Sequence, residues 1–140
     1  MRFWDSSAVV PLVVVQTATA RMQSLVKQDA SLVVWWATSV ECTAAVARLE
    51  REGILDERAA GRAIGLIGGL ARDWHEVDAT DPVKEFAKRV LRLHPLRTAD
   101  ALQLAAALVV AEGRPGQLEF VTLDERLAVA ARREGFRVVD

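Results

Sequence analysis

The stretch FWDSSAVV, Phe3 to Val10, ends a short apolar run on an aspartate, adds two serines and then turns apolar again. Charged groups are seldom buried unless they are paired or hold a metal, so Asp5 at this seam needs a reason. The plain reason is a helix cap. The alternative requires partner acids elsewhere in the chain, brought to the same place by the fold.

Working outward, the chain alternates short β-like runs with longer helical ones. RFW (2–4), LVVWWA (32–37), WHEV (74–77), LEFVT (118–122) and FRVV (136–139) read as strands, the second buried for its β-branched and aromatic content and the last at an edge. Apolar residues at helical spacing fill 17–28, 39–52, 56–72, 81–93, 98–112 and 123–134, with Gly53, Gly113 and Gly135 as stops and Pro82 just inside a start. The glycines of the third helical segment, Gly61, Gly65, Gly68 and Gly69, point to close helix packing or a weak end. The run AVVPLVVV (8–15) is apolar surface for a core or a partner. Strands separated by helices predict a three-layer α/β/α fold with a central, mainly parallel sheet of four to five strands, in one domain spanning 1–140.

Composition narrows the function classes. A chain of 140 residues with 51% hydrophobic and 26% charged residues can build a real core. The net charge of -1 excludes a global basic field for nucleic acid, so any such surface is local. Arginine dominates the bases, with only Lys27, Lys84 and Lys88 as lysines, and arginine suits forked contacts to phosphate. A single cysteine, Cys42, excludes an internal disulfide and a cysteine-based zinc cage, and reads as a buried small hydrophobe in a cytoplasmic protein. No secretory leader or membrane span is expected.

In open parallel sheets, ligands sit beyond the carboxyl ends of the strands. Asp5, Glu41 and Asp124 all follow predicted strands and should share one edge. Each also has a local explanation. Asp5 or Ser6 can cap a helix, Thr38-Ser39-Val40-Glu41 and Thr122-Leu123-Asp124-Glu125 have the spacing of capping boxes, and Thr98-Ala99-Asp100 reads as a cap with a first-turn acid. Together the balance changes, because gathered carboxylates repel one another and a helix gains only about 0.3–1 kcal/mol from one such charge. A divalent cation removes the repulsion, and all-oxygen donors point to Mg²⁺ or Mn²⁺.

The order of WDSSA, ATSVEC, LRTADALQLAAAL and VTLDERLAVAARREGFRVV resembles the PIN domains, most specifically the VapC-type toxins of toxin–antitoxin pairs, over essentially the whole chain. The resemblance implies endonucleolytic, metal-assisted hydrolysis of RNA. It implies Asp5 and Asp100 as principal ligands of Mg²⁺ or Mn²⁺, Glu41 and Asp124 completing the site, and Ser7 and Thr122 orienting carboxylates. It further implies a cognate VapB-type antitoxin whose C-terminal segment occupies the groove, and a homodimer formed through the early helices.

Other residues carry two readings. Arg97 and Arg126 flank the acids and either hold RNA phosphates or pair with those acids; each taken alone reads as paired. His75 and His94 lack ligand spacing and read as structural or exposed. Trp4, Trp35, Trp36 and Trp74 read as core rather than base-stacking platforms. Among rival functions, a phospho-acceptor receiver domain lacks its paired acid and its late lysine. A catalytically silent PIN-fold interaction module and a housekeeping RNA-processing nuclease remain as alternatives.

Overall fold

The computed structural model describes all 140 residues. Five parallel strands form one sheet in the order β3-β2-β1-β4-β5: β1 (Arg2–Trp4), β2 (Leu32–Trp35), β3 (His75–Val77), β4 (Glu119–Val121) and β5 (Arg137–Val139). The register pairs Phe3 with Val33 on one side and with Phe120 on the other. Seven helices connect the strands: α1 (Ser6–Val13), α2 (Thr19–Gln28), α3 (Thr38–Arg51), α4 (Glu57–Ala71), α5 (Asp81–Leu93), α6 (Thr98–Ala111) and α7 (Glu125–Arg133). None is long and apolar enough to cross a membrane.

Successive strand residues face opposite layers, and the core divides accordingly. Phe3, Val33, Trp35 and Phe120 pack on one side with α5, α6 and α7. Trp4, Leu32, Val34 and Val121 pack on the other with α1 to α4. The central strands β1, β2 and β4 are buried on both faces, which explains their apolar runs, while the edge strands β3 and β5 are more exposed. The three-layer architecture expected from the pattern is thus observed. Because β1 sits centrally and the chain leaves it first towards β2 and later returns to pair β4 against it, the topological switch point lies between β1 and β4.

Several boundaries differ from the reading above. β2 stops at Trp35, and Trp36 leaves the core with 55% of its surface exposed; its amide still donates to Val77 O at 3.1 Å. AVVPLVVV is largely helix α1, with Pro11 inside it, and Ala8, Val9, Val10, Val13 and Val14 are buried within this chain. Only Val15 stands free, 92% exposed. The glycines of α4 mark neither close packing nor an end. The helix runs on to Ala71, and a Cβ at Gly61, Gly65 or Gly68 would meet nothing within 4 Å. Gly53 and Gly135 do act as stops, with φ of 75° and 96° after α3 and α7.

Candidate functional site

Parallel strands place every strand's carboxyl end, and every following helix start, at one edge of the sheet. Asp5 is pinned there at the switch point, its amide donating to Val121 O at 3.0 Å. Its side chain is 3% exposed. Oδ2 accepts three hydrogen bonds, from Ser7 N at 3.2 Å, from Ser7 Oγ, and from Thr122 Oγ1 at 3.0 Å. The first of these is the cap of α1, so Asp5 does cap a helix. Oδ1 accepts no hydrogen bond. Burial pushes the Asp5 carboxyl up to about 6, with the Glu41 charge adding to the rise, while the hydrogen bonds from Ser7 and Thr122 oppose it.

Ser7 and Thr122, expected to orient carboxylates, both touch Asp5. Each is held from its far side as well. Ser7 Oγ accepts from Leu123 N at 2.9 Å, and Thr122 Oγ1 accepts from Asp124 N at 3.1 Å. The β4–α7 turn is thereby fastened to the β1–α1 turn around one carboxylate.

Glu41 does not complete a capping box. Ala37 occupies the cap position of α3 and no side chain caps it. Glu41 Oε2 instead accepts from Ser6 Oγ at 2.8 Å and from Gln103 Nε2 at 3.0 Å. Gln103 is fully buried on α6 and its amide nitrogen also reaches Thr38 Oγ1 at 3.3 Å, while its Oε1 is buried without a partner. Neither Ser6 nor Gln103 was singled out as a carboxylate partner from the sequence. The signal was present: a glutamine three residues after Asp100 shares its helix face, and a glutamine in an otherwise apolar helix needs a polar partner.

Asp100 and Asp124 form the second pair. They line one cavity of about 390 Å³ with Pro95, Arg97, Glu125 and Arg126. Asp124 is the cap of α7, its Oδ1 accepting from Leu127 N at 2.9 Å; the cap is Asp124 itself rather than Thr122. Thr98 does not cap α6 either, since Arg97 takes that position without a side-chain bond. Burial raises the Asp100 carboxyl above its ordinary range and the Asp124 charge adds to it, against the amide of Arg97 and the charges of Arg97 and Arg126. Arg97 and Arg126 are exposed and make no ion pair with the neighbouring acids or any other. The paired reading of both arginines holds only as a longer-range attraction to Asp100, with no direct ion pair.

The remaining residues fall away from the site. His75 is exposed on β3. His94 is buried, its Nε2 2.7 Å from Glu134 Oε1. Trp4, Trp35 and Trp74 are core. Cys42 is buried, and burial, then the Glu41 and Asp5 charges, push its thiol up to about 12.

The donors suit a hard cation. Asp5, Glu41 and Asp124 each spend one oxygen on hydrogen bonds and leave the other without any. All are carboxylates, and the Asp5 and Asp100 carboxyls are raised by burial and a like charge, a cost that a bound cation offsets. No three acids converge as a closed cage. Two pairs, joined through Thr122, which bonds both Asp5 and the Asp124 amide, fit the habit of Mg²⁺, which takes one or two carboxylates and completes its shell with water and substrate phosphate.

No family model matches the chain. Among curated proteins, ribonuclease VapC45 of Mycobacterium tuberculosis (strain CDC 1551 / Oshkosh) and ribonuclease VapC49 of Mycobacterium tuberculosis (strain ATCC 25618 / H37Rv) are each 34% identical over 144 residues, covering 97% of this chain and 92% of their own. Among solved structures, PAE2754 from Pyrobaculum aerophilum superposes with a TM-score of 0.63 at 24% identity, over 92% of this chain and 83% of that one. FitAcB from Neisseria gonorrhoeae gives 0.65 at 20% identity, over 100% and 97%. FitAB bound to the IR36 DNA fragment gives 0.62 at 17% identity, over 99% and 94%. These three share the fold.

Proposed function

The chain belongs to the VapC ribonucleases and has their PIN fold, and from that premise we propose that it is a Mg²⁺- or Mn²⁺-dependent endoribonuclease, the toxin of a toxin–antitoxin pair. The observation that carries the reading is the half-spent carboxylates. Asp5, Glu41 and Asp124 are each fixed through one oxygen and open at the other, at the one edge where this topology collects ligands.

In this reading Asp5 and Asp100 are the principal metal ligands, with Glu41 and Asp124 completing the site directly or through water. When bound, the metal supplies an activated water and charge neutralisation for in-line attack on a phosphodiester. The chain's own groups do the positioning. Ser7 and Thr122 hold Asp5, Ser6 and Gln103 hold Glu41, and the β4–α7 turn holds Asp124. Arg97 and Arg126, which make no direct ion pair within the protein, hold the substrate's phosphates. Chemistry of this kind needs no protein nucleophile.

The partner is a cognate antitoxin whose C-terminal segment fills the groove beside the acids. Trp36 and Val40, 55% and 66% exposed next to Glu41, support an apolar contact there. A homodimer through the early helices is supported by an apolar cavity of about 420 Å³ lined by Leu12, Val13, Val26, Leu66 and Leu70, with Leu66 54% exposed.

The test is cleavage of single-stranded RNA by wild type and by Asp100→Asn, with Mn²⁺ and with chelator. Cleavage confined to wild type with metal is expected. Cleavage that survives both chelator and Asp100→Asn overturns the metal-site reading. A wild type that neither cleaves RNA nor gains thermal stability from millimolar Mn²⁺ returns the acids to capping and makes the chain an interaction module.

A further inference from the structure

Arg126 borders two cavities at once. One holds Asp100 and Asp124. The other, about 330 Å³, lies further along α7 and is bounded by His94, Pro95, Glu125, Arg126, Val129 and Arg133. Pro95, Glu125 and Arg126 belong to both, so the two are adjoining segments of one groove. On α7, positions 126, 129 and 133 recur at helical spacing and share a face. The two guanidinium-bearing positions lie about 10 Å apart along the axis.

The wall facing that helix is fixed. His94 follows α5, and its Nε2 sits 2.7 Å from Glu134 Oε1 while Arg89 donates to Glu134 Oε2 at 2.6 Å. This ion-paired bridge between the ends of α5 and α7 holds His94 and Pro95 in place. The groove is therefore built rather than left over between mobile side chains.

Its charge is unspent. Arg2, Arg89, Arg132 and Arg137 are all ion-paired. Arg126 and Arg133 are exposed and their side chains have neither an ion pair nor a hydrogen bond; Arg126 also faces Asp100 and Asp124 in the adjoining segment, while Glu125 is the one acid lining the cavity around Arg133. Val129, 44% exposed, lies between them as an apolar step. A phosphodiester strand approaching Asp100, Asp124 and Glu125 meets three negative charges, so it needs cations beside the acids to hold it. Free arginines in file, leading directly away from the acids, meet that need, and their planar forks suit phosphate.

We propose that the groove formed by His94, Pro95, Arg126, Val129 and Arg133 is the track for the RNA strand flanking the cleaved phosphodiester, with Arg126 and Arg133 each taking a non-reacting phosphate and Val129 and Pro95 meeting ribose or base between them. The proposal rests on the ribonuclease reading and adds a direction to it: the strand runs along α7 towards its carboxyl end.

The test compares wild type, Arg133→Gln and Arg132→Gln as full-length proteins. Arg132 shares the last turn of α7 and its helix-dipole interaction, but pairs with Asp140 instead of lining the groove. The probe is a mixed-sequence single-stranded RNA about 20 nucleotides long, cleaved with Mn²⁺ and, separately, bound across about 50 to 200 mM salt. Arg133→Gln should raise KM about tenfold with kcat retained. It should also lower the slope of log affinity against log salt by about 0.7, the single-strand value for one phosphate contact. Arg132→Gln should match wild type in both. If wild type cleaves and the two variants are indistinguishable, the track is wrong while the ribonuclease reading stands. If Arg133→Gln spares RNA binding but abolishes binding of a polyglutamate peptide, the groove takes an acidic peptide and the track is again wrong. If wild type neither binds nor cleaves RNA, both readings fall.

Discussion

Asp5→Asn should make the metal-free protein more stable, not less. The Asp5 carboxyl is 3% exposed, and burial lifts it from the ordinary 3.8 to about 6. A raised folded value means that the folded state holds the proton more tightly than the unfolded chain does. The carboxyl's stabilising contribution is therefore complete below about pH 3.8 and is lost as pH rises through about 6. The shift of about two units corresponds to about 3 kcal/mol withdrawn from the fold at pH 8. Asparagine keeps an acceptor for Ser7 and Thr122 and caps helices as well as aspartate does, but carries no charge to desolvate. Urea unfolding in chelator at pH 8 should show Asp5→Asn about 3 kcal/mol above wild type. That is a midpoint shift of roughly 1.5 M for a slope near 2 kcal/mol/M. At pH 4 most of the gap should close. Saturating Mn²⁺ should stabilise wild type by about 2.7 kcal/mol at 100 times the dissociation constant and leave the variant unmoved. A variant less stable than metal-free wild type at pH 8, or a gap independent of pH, would show that the hydrogen bonds of Asp5 outweigh the cost of burying its charge, and the reasoning fails.

Three further outcomes follow from individual contacts. Gln103→Met, which fills the same space but cannot donate to Glu41 or Thr38, should weaken Mn²⁺ binding about tenfold by calorimetry, as loss of a ligand's supporting hydrogen bond does; unchanged affinity would remove Glu41 from the metal site. Gly65→Ala should raise stability by about 0.5–1 kcal/mol, seen as a melting point a few degrees higher, because α4 pays glycine's backbone entropy there with no packing return; a lower melting point would mean that the position is covered. Glu134→Gln should cost about 1–3 kcal/mol at pH 7 in urea unfolding. Burial pushes the Glu134 carboxyl up, but hydrogen bonds from Arg89 and His94 pull it below the ordinary 4.5, so its stabilisation is present above that value and fades as pH falls through the folded one. A deficit that grows in acid would reverse that sign.

Much of the fold was legible because its signals are local. RFW, WHEV and FRVV sit where β1, β3 and β5 form, and Gly53 and Gly135 end α3 and α7 as left-handed stops. The misses are places where a local signal loses to geometry. AVVPLVVV reads only as apolar surface with no helix assigned to it, yet Pro11 sits inside α1, where the gain from burying Ala8, Val9, Val10 and Val13 outweighs poor helix propensity. Trp36 reads as strand, but the chain must leave the sheet there to start α3. Asp5, Glu41 and Asp124 could be picked out from the sequence because a parallel sheet forces strand ends to one edge; Asp100, which opens a helix after a helix, is placed with them only by the family resemblance. The partners of these acids could not be picked out. Gln103 meets Glu41 across 62 positions, and Thr122 meets Asp5 across 117. No periodicity encodes which hydroxyl or amide a folded sheet will bring to a carboxylate.

Capping and metal binding, the two readings the sequence poses at each acid, do not exclude one another. The parallel topology sets helix starts beside strand ends, so an acid placed to answer free amides is already placed where a ligand would sit. A carboxylate has two oxygens. Asp5 gives one to Ser7 and Thr122, and Asp124 gives one to Leu127. The amide or hydroxyl bond on the first oxygen fixes the direction of the second, which is what a site needs if its ligands are not to collapse onto each other before a cation arrives. Glu41 is the informative exception. It lies in the first turn of α3 with no part in capping it, and its carboxylate is turned instead towards Ser6 and Gln103. A residue kept only for its helix would have no reason to make that turn. Capping accounts for where Asp5 and Asp124 stand, and it does not account for Glu41.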